Sequence, residues 1–102
     1  MISLLDAVDV DTDGALVTAA VYPKIIAVWA VDFGGGTVNL ETSPDAGVTW
    51  IPITRDGIAL TYTANAVDQI SGLIAQGFPV RATLTGSTTP SDVSAALYEN
   101  VG

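Results

Sequence analysis

Phe33-Gly34-Gly35-Gly36-Thr37-Val38-Asn39-Leu40-Glu41-Thr42-Ser43-Pro44-Asp45-Ala46-Gly47-Val48-Thr49-Trp50 is a glycine hinge followed by two alternating segments around a turn. Successive side chains of a strand point to opposite faces, so Val38, Leu40 and Thr42 fall on one side and Thr37, Asn39 and Glu41 on the other. Pro44 pre-sets φ, Asp45 can accept from the backbone that follows it, and Gly47 supplies a left-handed position. The stretch therefore reads as a β-hairpin with a tight loop of three or four residues. Gly34-Gly35-Gly36 precedes a strand rather than a helix and has no Lys after it, so it reads as a sharp bend and not as a phosphate cradle.

Outward from this hairpin, Gly, Pro, Asp and Asn recur every 8 to 14 residues, between segments rich in Val, Ile, Thr and Ala. That rhythm predicts strands near residues 2–6, 15–22, 25–33, 37–43, 48–54, 58–63, 78–86 and 92–99. Residues 25–33 form a nearly continuous apolar run, which predicts a central strand covered on both faces with Trp29 as its core anchor. Phe78, Val80, Ala82 and Leu84 alternate with Pro79, Arg81, Thr83 and Thr85, which predicts a half-buried strand with Arg81 on its outer face. Val67, Ile70, Leu73 and Ile74 fall at helical spacing, so residues 66–76 read as a crossover loop with a helical turn. Eight short strands and one long crossover make residues 1–102 a single all-β domain, an antiparallel β-sandwich of jelly-roll or immunoglobulin-like type. Its folded surface is expected to be roughly 5,400 Å².

The chain has 102 residues, with 11 Asp and Glu against 3 Lys and Arg, for a formal charge of −8. That balance opposes nucleic acid and anionic lipid as partners. Hydrophobic residues make up 49% and charged residues only 14%, so much of the surface must be small and uncharged, which suits assembly. Cys and His are absent, no stretch approaches the ~18 apolar residues of a membrane span, and the N-terminus lacks the basic region of a signal peptide. These features predict a protein made in the cytoplasm.

Asp9-Val10-Asp11-Thr12-Asp13-Gly14 alternates three carboxylates before a glycine, as calcium loops do, but the twelfth position that should hold a bidentate Glu is Ala20. The segment reads as a solvated acidic turn, and no metal or other cofactor is expected. Asp32, Glu41, Asp45 and Asp56 could supply a carboxylate pair for glycoside chemistry, yet nothing in the spacing sets two of them across a cleft. Without His, Cys, a nucleophile elbow or a phosphate loop, the common catalytic templates have no parts, and the chain reads as non-enzymatic. Trp29 and Trp50, with Tyr22, Tyr62 and Tyr98, could form an aromatic platform for sugars, but their spread over separate strands makes core packing the default, with Trp29 the core anchor and Trp50, beside the hairpin tip, the candidate for exposure. Arg55 and Arg81, nearly the only cations, are candidates for ion pairs across an interface or within the acidic surface. Chain ends of a sandwich can add to a neighbour's strand edge. The segments Met1–Val8 and Leu97–Gly102 are thus candidate contact arms, with Met1, Ile2, Leu4 and Tyr98 joining Trp50, Arg55 and Arg81 as candidate partner-binding residues.

The block from Phe33 to Ile53, together with Phe78-Pro79-Val80-Arg81-Ala82-Thr83-Leu84-Thr85-Gly86, resembles a group of small tailed-bacteriophage virion proteins. In that group a glycine-rich bend leads to a valine-x-leucine-x-x-serine-x-aspartate-x-glycine-x-threonine-tryptophan hairpin, and a late strand carries arginine-alanine before a threonine-glycine turn. The resemblance covers about residues 28–86. It implies a capsid decoration (cement) protein that binds the major capsid protein lattice on the outside of the head, with self-association as a trimer or other oligomer. The alternatives are a carbohydrate-binding or adhesion module of a tail fibre, and a head-completion or tail subunit. An exposed aromatic trio on one face would favour the sugar binder, and an apolar edge or terminal arm the cement protein.

Overall fold

In the computed structural model, which describes residues 2–18, 23–74 and 77–98, the chain is all-β and its strands are short. They are β1 (Ile2–Val8), β2 (Thr12–Asp13), β3 (Val17–Thr18), β4 (Ile25–Trp29), β5 (Thr37–Thr42), β6 (Ile51–Pro52), β7 (Thr54–Arg55), β8 (Ile58–Ala59), β9 (Thr61–Tyr62), β10 (Ala66–Gln69), β11 (Pro79–Thr85) and β12 (Val93–Tyr98). One sheet has the order β1-β12-β4-β10. The other has the order β2-β11-β5-β6, with β3 also on β11 and β9 also on β5. Every pairing within the two sheets is antiparallel.

Period-two burial drives the assembly. Ile26 and Val28 of β4, with Val93, Ala95 and Leu97 of β12, meet Val38 and Leu40 of β5 and Val80, Ala82 and Leu84 of β11 in one buried cluster between the sheets. The alternation read in the hairpin and in β11 is thus the alternation that builds the core. The surface of 5352 Å² matches the area expected for this mass. Among the described residues, apart from the β5–β6 and β7–β8 hairpins, no two consecutive strands are neighbours, whereas an immunoglobulin-like sandwich pairs several of its consecutive strands. The chain passes back and forth between the sheets in the double Greek-key order of a jelly roll.

Four expectations need correction. Residues 66–69 are not a helical turn but strand β10, paired with β4 from Ala66↔Val28 to Gln69↔Ile25; the helix-like spacing of Val67 and Ile70 gives way to a sheet edge that needs a partner. Trp29 is 42% exposed and is no core anchor, because this sheet is covered on one face only and Ile26 and Val28 take the inward positions. The hairpin loop is longer than a tight turn, since β5 and β6 pair only through Glu41↔Pro52 and Thr42↔Ile51. Finally, Ile2–Val8 is no free arm: Ile2 pairs with Leu97 and Val8 with Val93 of the same chain, and Leu97 and Tyr98 belong to central strand β12. Truncation at either end would remove native sheet. Of the predicted strand at 15–22, Val17–Thr18 forms β3, and residues 19–22, Tyr22 among them, lie outside the described residues, as do Met1 and residues 99–102.

The glycine bend does what the composition implied. Gly34 has φ 61°, its N–H donates to Asp32 Oδ1 at 2.7 Å, and its carbonyl accepts from Thr88 N at 2.8 Å. A Cβ there would strike the Thr88 carbonyl and Pro90.

Ile26→Ala should cost about 2–5 kcal/mol by opening a cavity between the sheets, and Trp29→Ala distinctly less. Urea unfolding of the two variants checks this; a larger loss for Trp29→Ala would contradict the assignment of faces.

Candidate functional site

The segment between β5 and β6 curls over the outer face of the second sheet and is held by its own polar side chains. Buried Ser43 accepts at Oγ from the N–H of Gly47 at 2.8 Å and of Asp45 at 3.3 Å, and donates to Asp45 Oδ1 at 2.8 Å. Asp45 Oδ1 also accepts from Thr49 N at 2.6 Å. Hydrogen bonds from the Thr49 side chain and backbone, and then from Ser43, hold the Asp45 carboxyl below its ordinary value. Gly47 has φ 95°, and a Cβ on it would meet Leu16 Cδ1 at 2.7 Å and Trp50 Cζ2 at 3.7 Å, so the loop closes against both side chains.

Trp50 and Arg81 come together here. The Arg81 guanidinium carbon lies 4.4 Å from the centroid of the Trp50 ring, within range of a cation–π contact. Arg81 Nε donates to Glu41 Oε1 at 2.9 Å across the β5–β11 register, and Nη1 lies 3.9 Å from Asp13 Oδ2. The cation foreseen for an ion pair therefore finds its partners within the chain. Around it the loop presents Val48, 83% exposed, with Leu16 and Ile51 also exposed. The result is an apolar tip on a hydrogen-bonded frame.

The other candidate residues are dispersed. Arg55, on β7, donates from Nη1 to Asp68 on β10 at 3.2 Å and from Nη2 to the Gln69 carbonyl, bridging the β7–β8 hairpin to the edge of the first sheet. Tyr62 donates its hydroxyl to Asp68 Oδ2 at 3.0 Å. Burial, and then this hydrogen bond, push Tyr62 above the usual phenol range. Desolvation pulls Asp68 upward, but the hydrogen bonds from Tyr62 and Arg55 and the guanidinium charge leave it below the ordinary carboxylate value. The hairpin turns through Asp56 and Gly57, with φ 53° and 79°, the type I′ pair that an Asp-Gly dipeptide signals. An open hollow of about 250 Å³ at its foot is lined by Arg55, Asp56, Ile58, Ala59 and Leu60. Ile2 is half-buried, Leu4 is turned into the core at 4% exposure, and half-buried Tyr98 pairs with Ile25.

The three aspartates of the acidic turn serve different elements. Asp9 Oδ1 accepts from Asp92 N at 3.0 Å. Asp11 accepts from Gly86 N at 3.1 Å, from Ser87 N at 3.0 Å and from the Ser87 hydroxyl, which holds its carboxyl below the ordinary value, the Ser87 hydroxyl contributing most. Asp13 faces Arg81. Among the described residues no three acidic, His or Cys side chains gather as a metal-binding group, and no exposed aromatic trio shares a face.

Leu16 and Val48 escaped the sequence reading. Val48, an apolar residue inside an otherwise polar turn, was the available signal; the contact with Leu16 is long-range and left none. Comparison with family models, with curated proteins and with solved structures returns no match, so the geometry above carries the functional reading.

Because Asp68 titrates lower in the folded chain than the unfolded value of about 3.9, its contribution to stability is complete above that value and is lost as pH falls through the folded one. The urea midpoint of the wild type, followed from about pH 5 downward, should therefore drop more steeply than that of Asp68→Asn. Parallel curves would show that the Tyr62–Asp68–Arg55 network does not act in this way.

Proposed function

We propose that the chain is a non-enzymatic structural protein of a tailed-bacteriophage virion, a decoration protein that binds the outer surface of the head. The observation that carries this reading is the apolar loop tip at Val48, flanked by Leu16, Trp50 and Ile51 and rigidly framed by Ser43 and Asp45. A pre-ordered loop loses little conformational entropy when it is covered, and a Trp–Arg pair is the kind of anchor on which interfaces concentrate their binding energy. The loop and the strand bearing Arg81 are also the segments that resemble the virion group. With Arg55 and Arg81 already paired inside the chain, recognition rests on shape and apolar contact more than on charge. A ligand of the assembled lattice alone would strengthen a shell by mass action.

The test is co-sedimentation with empty expanded capsids, comparing the wild type with Val48→Asp. The wild type should pellet with capsids and remain in solution with isolated capsid subunits. Val48→Asp should bind tenfold or more weakly, the loss of about one buried side chain, while keeping the β-sheet circular-dichroism spectrum. Failure of the wild type to pellet, with retention on a host polysaccharide column, would overturn the assignment in favour of an adhesion module.

A further inference from the structure

The chain contains two Asp-Gly dipeptides, Asp13-Gly14 and Asp56-Gly57. In such a pair the glycine nitrogen, unhindered by a side chain, can attack the preceding carboxyl, provided that the peptide plane between them can turn. The fold treats the two pairs oppositely. Asp13 ends β2 and pairs with Thr83 of β11, the Gly14 N–H donates to the Ala82 carbonyl at 2.8 Å, and a Cβ on Gly14 would strike the carbonyl oxygens of Leu4 and Ala82. That peptide is clamped between β1 and β11, and the Asp13 carboxyl faces Arg81. Asp56 and Gly57 are instead exposed at the tip of the β7–β8 hairpin, where a Cβ on Gly57 would meet nothing within 4 Å. Among the described residues, neither the Asp56 carboxyl nor the Gly57 N–H has a hydrogen-bond partner.

We propose that Asp56 is a site of spontaneous isomerisation to isoaspartate, and that the fold shields Asp13 from the same chemistry. The turn supplies the path. With φ 53° at Asp56 and 79° at Gly57 it is type I′, and a flip of its central peptide converts it to type II′, the other turn that suits a hairpin. In type II′ the first central residue has ψ of about −120°, a rotation that carries the Gly57 nitrogen towards the Asp56 carboxyl. Gly57 follows without strain, because glycine takes either sign of φ. The nitrogen then bonds to Asp56 Cγ and gives up its proton, while one carboxyl oxygen leaves as water. A water molecule next opens the five-membered imide. Attack at the side-chain carbonyl restores Asp, and attack at the main-chain carbonyl leaves Gly57 joined through Cγ. One water is released and one consumed, so no other reactant is needed. The isoaspartyl link puts one more carbon into a two-residue turn, which then no longer sets Arg55 opposite Ile58. Arg55 ties this hairpin to Asp68 and Gln69, so that contact loosens as well. The proposal does not depend on capsid binding.

The test is to hold the full chain at neutral pH and body temperature for several weeks, both folded and in concentrated guanidinium chloride. Peptide mapping with electron-transfer fragmentation, which distinguishes isoaspartate from Asp, then locates the product. In the folded chain isoaspartate should accumulate at residue 56 at least about tenfold faster than at residue 13, because only the exposed turn opens readily. In the denatured chain, where both glycine nitrogens are free, the two rates should agree within about twofold. Equal accumulation at residues 13 and 56 in the folded chain would overturn the proposal, as would the absence of isoaspartate at residue 56 there while the denatured chain forms it. A denatured chain that keeps the preference for residue 56 would overturn the shielding of Asp13 by the fold.

Discussion

Short strands leave many backbone N–H groups in turns, and each must find an acceptor when the turn packs against its neighbours. This chain meets that constraint with aspartates. Asp9 reaches Asp92 N, Asp11 reaches Gly86 N and Ser87 N, Asp32 reaches Gly34 N, and Asp45 reaches Thr49 N. Asp9 and Asp11 span the fold, joining the turn after β1 to the turn before β12. Much of the acidity that argues against nucleic acid as a partner is thus explained by the architecture: carboxylates tie loops that the sheets alone would leave loose.

The same economy shapes the surfaces. Arg55 and Arg81 each serve several internal partners, one fastening the β7–β8 hairpin to the edge of the first sheet and the other underpinning the loop after β5. What these internal pairings leave displayed over the second sheet is the apolar Val48 tip. A surface whose polar groups are satisfied from within has little to offer an ionic ligand and much to gain from being covered by protein. That is the link between the fold and the proposed role on a virion.

The sandwich was legible because its core obeys period two, and alternation alone sets Val38 with Leu40, and Val80 with Ala82 and Leu84, on one face of each strand. The bend at Gly34 and the outward position of Arg81 were legible for the same local reason. What failed was whatever depended on which strand lies beside which. Ala66–Gln69 is a strand because β4 offers an open edge, and no local spacing reveals that. Trp29 sits in an apolar run that reads as buried on both sides, but only the layer arrangement tells that one side is bare. The chain ends looked like arms because their partner strand, β12 for Ile2–Val8, lies at the far end of the sequence. At the candidate site, Trp50 and Arg81 were both singled out, yet their stacking and the Glu41 partner emerge only from the β5–β11 register.

The central claim is that side-chain carboxylates frame the turns and hold the β5–β6 loop in its displayed shape. Residue-resolved amide hydrogen exchange measures this directly, comparing the wild type with Asp45→Ala. The expected result is slowed exchange in the wild type at Gly47 and Thr49 as well as at Gly86, Ser87 and Asp92, with protection lost in the variant at Thr49 and Gly47 alone. Exchange of the wild-type loop amides at the rates of an unstructured chain would contradict the account.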